Sequence, residues 1–466
     1  METIVKFHEG LRGSGVVVSV SYHNSRVIFD FGAPFRPATN VYDGTVLRRN
    51  KASLRDAIKL KHVPAIDGIF PQADLEGLSV IPYELSSINS AIVISHLHLD
   101  HMSNIGYVHP DVPVYMSVEA QRLQKSLDMV GEAIGNREFT GAPLYEPIQI
   151  GEITATPYFS DHPCYGSVGY LIKTPDSTIY YSGDIRFHGL QRERAFAELE
   201  KLCKENIDLL IIDGTTYSPS KFIHDAETID EMNKPSQDYL PGQFSEAGIY
   251  EDVHKFLSSS EGVGIFNIYH RDMQLINALV DTAKSLGREI VFEPETAYIV
   301  YSLLGIKSLY YVPDVDGYEK DEEYLNIVKS NCKEISADEI KKNGKKYFVQ
   351  CSYHNLLQMF SLTDPNVKGE YFHLFGEPFT KDGKANRSLN KVLEMCNLEN
   401  HAYANLYSFN HAFPNHLCYV IEKLNSKAVV AVHSNVPEKL NPMNSVAYLP
   451  EQNVPYILKN GELIKK

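Results

Sequence analysis

Ala91-Ile92-Val93-Ile94-Ser95-His96-Leu97-His98-Leu99-Asp100-His101 is the stretch on which the reading of this chain turns. Four apolar residues, Ala91 to Ile94, run straight into three histidines and an aspartate spaced H-x-H-x-D-H. The apolar run predicts a buried strand. The polar cluster falls where that strand ends, in the crevice where open α/β sheets place their ligands. His96 and His98, two apart, can point one way from an extended turn, and Asp100 and His101 can then face a second point beside the first. Neutral imidazole and carboxylate are good ligands for zinc or a similar divalent ion. The plain alternative, a histidine-rich surface loop, leaves the hydrophobic approach and the four-residue pattern to chance.

The whole chain sets bounds on what that site can serve. Its 466 residues suffice for two or three domains and a large buried core. Hydrophobic residues at 43% and charged residues at 22% are ordinary for a soluble globular protein. No apolar run approaches the roughly 18 to 20 residues that cross a bilayer, so no membrane partner is expected. The opening Met1-Glu2-Thr3-Ile4 lacks the basic-then-apolar pattern of a secretory signal. The six cysteines are scattered without a C-x-x-C pair. Together these predict a reducing, cytoplasmic setting with free thiols. Cys164, two after His162, reads either as a neighbour of a metal or as a packed thiol. Lys and Arg number 44 against 59 Asp and Glu, a net charge of -15. That balance argues against loose coating of a polyanion. It leaves room for a nuclease, because a local groove with metal ions can hold phosphate on an acidic protein.

Outward from the motif, Val16 to Val20 and Arg26 to Gly32 read as strands of an early sheet, the second closing at Asp30. Residues 36–75 look inserted and carry a basic amphipathic piece, Arg48 to Lys61, which reads as a solvated helix face or as a contact for a phosphate backbone. Val118 to Val130 reads as a helix. Strands over 153–158, 168–172, 177–182 and 207–213 alternate with a helix over 190–204, which argues for α/β layers. Pro, Gly, Ser and acidic residues crowd 217–247, as at a domain boundary. A second α/β unit follows, with a strand at 263–268, a helix from Arg271 to Leu286 capped by Gly287, and a strand at 289–292 ending in Glu293-Pro294-Glu295. Later come Ser408-Phe409-Asn410-His411-Ala412, a helix through Leu424, a strand from Ala428 to Ser434 containing His433, and a closing strand over 456–466.

H-x-H-x-D-H after an apolar strand resembles the signature of the metallo-β-lactamase fold. The later half resembles a β-CASP insertion, and the whole is similar to the catalytic core of ribonuclease J-like enzymes. The resemblance implies an α/β fold class: a metallo-β-lactamase αββα sandwich with an inserted α/β β-CASP domain. Its first part would span 1–216, the insertion 217–415 and the closing part 416–466. It implies His96, His98 and His162 as ligands of one metal and Asp100, His101 and His433 as ligands of a second. Asp184 would lie between them, and Asp30 would orient the histidine motif from behind. The ions would be two divalent metals, Zn(2+) first and Mn(2+) as the alternative. Asp100, His411 and Glu293 would serve catalysis, His411 and Glu293 reaching from the inserted domain. Glu295 competes with Glu293, which is preferred because it directly follows the strand. The Ser-x-x-His of residues 408–411 departs from the Ser-Gly-His of the family by one extra residue and the loss of glycine. No counterpart of the family's C-terminal domain is expected, so the family's assembly is not implied, and a homo-oligomer or another complex partner stays open.

The function expected from this resemblance is cleavage of phosphodiester bonds in RNA, or in single-stranded DNA, by two-metal water activation in a cleft between the domains. A hydrolase of a small molecule, such as a lactone, thioester or phosphodiester metabolite, is the alternative that the acidic charge favours. A silent assembly subunit is the third reading, and the intact ligand set speaks against it.

Overall fold

The structure, a computed structural model, describes all residues except 35–40, 42–45, 136, 218–232, 241–242, 244, 316–321, 375–383 and 403–409. The chain separates into two units. The first comprises Met1–Gln121, Ile134–Gln243 and Ser408–Lys466, and the second Arg122–Ala133 and Phe244–Tyr407.

The first unit begins with β1 (Thr3–Glu9), β2 (Val17–Tyr22) and β3 (Ser25–Phe29), then β4 (Asn89–Val93), β5 (Val114–Ser117) and β6 (Thr140–Ala142). Next come β7 (Ile148–Ile150), β8 (Ile153–Phe159), β9 (Val168–Lys173), β10 (Thr178–Tyr181) and β11 (Leu209–Asp213). The second unit supplies β12 (Gly264–Asn267), β13 (Glu289–Phe292), β14 (Leu309–Tyr310), β15 (Lys333–Glu334), β16 (Tyr347–Gln350), β17 (Gly369–His373) and β18 (Leu398–Ala402). The chain then returns to the first unit with β19 (Ala428–Val432), β20 (Val446–Ala447), β21 (Pro455–Lys459) and β22 (Glu462–Lys465).

Two mixed sheets make the first unit, in the orders β22-β21-β1-β2-β3-β4-β5-β6 and β20-β19-β11-β10-β9-β8-β7. Alternation along β1, β2 and β3 sends Val5, Phe7, Val18, Val20, Val27 and Phe29 inward, where they meet Tyr170, Ile172, Ile179, Tyr181 and Ile211 of the other sheet. The rings of Phe29 and Tyr181 stack at 4.9 Å in this layer. A second core lies on the outer face of the second sheet, under the helices Arg192–Leu202 and Pro414–Leu424. The pattern of helix, sheet, sheet and helix follows from strands apolar on both faces, which must be covered twice.

The second unit is a seven-stranded sheet in the order β15-β14-β13-β16-β12-β17-β18. All of its strand pairs are parallel. Its central strands β12, β16 and β17 are buried throughout, as expected of parallel strands covered on both faces, whereas the edge strands β15 and β18 are largely exposed. The helix Met273–Ser285 is capped by the Asp272 side chain, which accepts from the backbone N–H groups of Gln274 and Leu275. Gly287, in the left-handed region at φ +66°, ends it.

Several boundaries differ from the sequence reading. The first unit retains Tyr217 and the described residues between 233 and 243, and it resumes at 408 rather than 416. The cause is a set of hydrogen bonds that bind residues 410–412 to first-unit loops: Ala412 N–H to the Ile185 carbonyl at 2.6 Å, and the Thr216 hydroxyl to the Ala412 carbonyl at 2.8 Å. His411 therefore belongs to the first unit, not to the inserted one. The expected closing strand over 456–466 is a hairpin, β21 and β22, because Asn460 and Gly461 both take positive φ between them. In the basic piece only Ser53–Lys59 is helical, and Arg49 and Arg55 pair with Asp56 and Glu76. Among the described residues, no helix is long and apolar enough to cross a membrane.

Candidate metal centre

The site gathers at strand ends of the first unit. β4 delivers Ser95 and His96, and the chain then turns into a short helix, Leu99–Met102, that carries Asp100 and His101 with His98 just before it. That helix lies so close to the loop after β3 that a Cβ on Gly32 would meet the Asp100 carbonyl oxygen at 1.7 Å. Only glycine permits this approach. His162 follows β8, Asp184 follows β10 and His433 follows β19.

Two groups of donor atoms result. In the first, His98 Nδ1 stands 3.0 Å from His96 Nε2 and 3.1 Å from His162 Nε2. Asp184 Oδ2 is 3.7 Å from each of those two Nε2 atoms. In the second, His433 Nε2 is 2.7 Å from Asp100 Oδ2, and His101 Nε2 is 3.2 Å from the same Asp184 oxygen. Each group, His96-His98-His162-Asp184 and Asp100-His101-His433, fits within 4.8 Å. Asp184, His411 and His433 form a further such cluster. Cys164 is buried but belongs to none of these clusters.

Hydrogen bonds behind the ligands fix which nitrogen carries the proton. The Ser95 hydroxyl donates to Asp30 Oδ2 at 2.8 Å, so it accepts from His96 Nδ1 at 3.0 Å. His162 Nδ1 donates to the Asn410 carbonyl at 2.8 Å. His96 Nε2 and His162 Nε2 are thereby both left with lone pairs facing His98 Nδ1, which can satisfy at most one. His101 Nδ1 donates to Asp30 Oδ2 at 2.8 Å, which turns its Nε2 towards the Asp184 carboxylate. His101 Nε2 makes no hydrogen bond of acceptable geometry. Lone pairs converging from nitrogen and carboxylate oxygen, at short range and out of water, fit a divalent cation and little else.

Sequence reasoning missed the second carboxylate behind the site. Asp213, buried at the end of β11, accepts from His411 Nδ1 at 2.8 Å and from the Thr215 hydroxyl at 2.6 Å. Thr215 in turn accepts from His433 Nδ1 at 2.6 Å. Tyr181, whose ring fills the inter-sheet core, donates its hydroxyl to Asp30. The available signal was the repeated ending of first-unit strands in aspartate, at Asp30, Asp184 and Asp213. Asp30 and His433 share another feature, backbone φ of +55° and +60°. This left-handed conformation costs a residue with a Cβ and persists where surrounding contacts enforce it.

The charges follow the geometry. Burial, with His101, His162 and His98 alongside, pushes the His96 imidazole well below its ordinary pKa, and burial with His98 does the same for His162. Burial would also lower His101 and His433. Facing carboxylates overcome it, Asp184, Asp100 and Asp30 raising His101 well above the usual value, and Asp184 and Asp100 raising His433 to about 9. Burial would lift the Asp184 carboxyl, and His101, His433 and His411 hold it well below the carboxylate range instead. His411 is raised against burial by Asp213 and Asp184.

Glu293 sits elsewhere, at the end of β13 in the second unit. Its Oε1 accepts from the Ser352 N–H at 2.8 Å and from Asn355 Nδ2 at 2.9 Å, and burial pushes its carboxyl up. Ser408 and Phe409 lie outside the described residues; Asn410 and His411 lie within them.

A family profile described as a β-lactamase superfamily domain matches residues 79–238, the span that holds H-x-H-x-D-H, His162, Asp184 and Asp213. The first unit has a metallo-β-lactamase fold. A solved structure of a protein of unknown function from Enterococcus faecalis V583 is similar to this chain at a TM-score of 0.76 and 24% identity, covering 98% of this chain and 100% of that one. Ribonuclease J of Pyrococcus abyssi is 27% identical over 234 residues, 47% of this chain and 47% of that protein. Ribonuclease J of Mycoplasma genitalium is 22% identical over 384 residues, 78% of this chain and 62% of that protein. The chain thus matches about half the length of the first of these relatives. In the metallo-β-lactamase unit, the donor set at the strand ends suits a divalent metal.

Proposed function

We propose that this protein is a metal-dependent phosphodiesterase that cleaves RNA, with the main part of the second unit, Phe244–Tyr407, serving as a β-CASP-like domain inserted between β11 and β19. The observation that carries the reading is Asp184 Oδ2, which stands 3.2 to 3.7 Å from imidazole nitrogens of both donor groups. His96, His98 and His162 would hold one divalent ion, and Asp100, His101 and His433 the other, with Asp184 shared and zinc the preferred metal. Bound ions supply charge to the phosphate and lower the pKa of a water molecule. The rest falls to the chain. Asp30 and Asp213 set the orientation of the histidines through His101, and through Thr215 and His411. His411, held through Nδ1 by Asp213, can meet a phosphate oxygen with its other nitrogen and hand the leaving oxygen a proton. Glu293 remains the acidic candidate of the second unit, held there by Ser352 and Asn355. Similarity to ribonuclease J proteins supports RNA as the substrate class.

Pure protein incubated with end-labelled single-stranded RNA and DNA, with zinc or manganese, tests this. Cleavage of RNA that stops on adding chelator is expected. Hydrolysis of a small phosphodiester with both polymers left intact would favour the metabolite hydrolase that the net charge of -15 suggests.

A further inference from the structure

His162 and Asp184 belong to the same donor group but to different loops, and a buried ion pair joins those loops beside them. Asp161 precedes His162, and Arg186 lies two beyond Asp184. Arg186 Nε is 3.3 Å from Asp161 Oδ1, and the two residues are only 1% and 2% exposed. The backbone repeats the link: Arg186 N–H donates to the Asp161 carbonyl at 2.8 Å, and the Ser160 hydroxyl donates to the Asp184 carbonyl at 2.9 Å. Gly189 closes the far side. A Cβ there would lie 2.4 Å from Asp161 Oδ2 and 2.5 Å from Arg186 Nε, so any side chain would displace the pair.

As a stabilising device this pair is poor. Desolvating two charges offsets much of their attraction. Asp161 Oδ2 also finds no hydrogen-bond partner among the described residues. As a spacer it is good, because a planar guanidinium and a carboxylate in contact allow a narrow range of separations. We propose that the Asp161–Arg186 pair, seated against Gly189, is a positioning element that fixes the spacing of His162 and Asp184 and so sets the affinity of the centre for a divalent ion. This rests on the metal-centre reading above.

Asp161→Asn and Gly189→Ala disturb the pair from opposite sides. In the full chain, zinc affinity is measured by competition with a chromophoric chelator, beside the visible spectrum of the cobalt-loaded protein and the thermal midpoint of the metal-free protein. Both variants should bind zinc about 10- to 100-fold more weakly, the scale seen when the groups supporting metal ligands are lost, and their cobalt bands should shift. A lowered metal-free midpoint with parental zinc affinity and spectrum would make the pair a packing contact and overturn the proposal. If the parent takes up no zinc, the metal centre itself falls and the positioning role with it. If the parent binds and both variants bind equally well, the positioning role alone falls.

Discussion

The two donor groups share Asp184 and are otherwise built on different terms. The first is three imidazoles with one carboxylate, and burial keeps His96 and His162 neutral with lone pairs presented. The second alternates acid and base: His101 and His433 each face a carboxylate in front, and each is backed by another, Asp30 directly and Asp213 through Thr215. The first group is therefore ready for a cation as it stands. The second holds protons that a cation must displace, because imidazole binds metal only when neutral. Two sites a few ångströms apart can in this way differ in affinity without differing much in geometry.

Substituting the shared residue breaks the comparison most completely. Asp184→Asn should lower bound metal from about two ions per chain to less than one by elemental analysis, and abolish cleavage. Metal content at the parental level would mean the groups do not depend on that oxygen. His411→Ala comes next. It removes a group that borders both donor groups, against His162 and His433, while leaving all seven of their residues in place, so both ions should remain and single-turnover cleavage should slow about 10²- to 10⁴-fold. Cleavage at the parental rate would relegate His411 to packing. Thr215→Val sharpens the contrast, since it cuts the path from Asp213 to His433 and touches nothing behind His96. In a calorimetric titration the weaker step should lose about 10- to 100-fold in affinity and the other should hold; equal losses would erase the distinction.

The smallest effect concerns the background on which the others are read. His8 lies buried in β1, and burial, then the charges of Lys6 and Arg26, lower its pKa to about 3. It is neutral in the folded protein and titrates near 6.5 when unfolded, so its contribution to stability is complete above pH 6.5 and is lost as pH falls towards 3. Metal-free His8→Gln should show a flatter fall of thermal midpoint across that window than the parent. Parallel curves would assign the acid sensitivity elsewhere, to the donor groups among other places.

How much of this could be read from the chain depended on where partners lie along it. His96, His98, Asp100 and His101 announce themselves because all four fall within six residues behind an apolar strand. His162, Asp184 and His433 are single residues in common settings, and a family resemblance was needed to single them out. Asp213 offered only its place at a strand end and Thr215 no cue at all, since their roles exist only once His411 and His433, about two hundred residues on, are folded beside them. The same holds for Asp161 and Gly189, whose meaning depends on Arg186. His411 was placed in the wrong unit because its motif was read with the segment before it, whereas Ala412 and Asn410 bond to loops of the first unit. Strand content was legible from alternation; the boundary near 408 was not, because it is set by a few backbone hydrogen bonds rather than by composition.

The pairing of β11 with β19 carries a consequence for how the protein is made. These neighbours in the second sheet stand on either side of the second unit in the chain, and β1 waits likewise for β21. At translation rates of about 5–20 residues per second, the intervening stretch takes on the order of ten to forty seconds to emerge from the ribosome. During that interval the edge of β11 lacks β19 and the outer face of its sheet lacks the helix Pro414–Leu424, while the parallel sheet of the second unit can close on itself. The inserted unit can thus close before the first is complete, and His433, last of the donor residues, arrives only with β19, after the Asn410 carbonyl that holds His162.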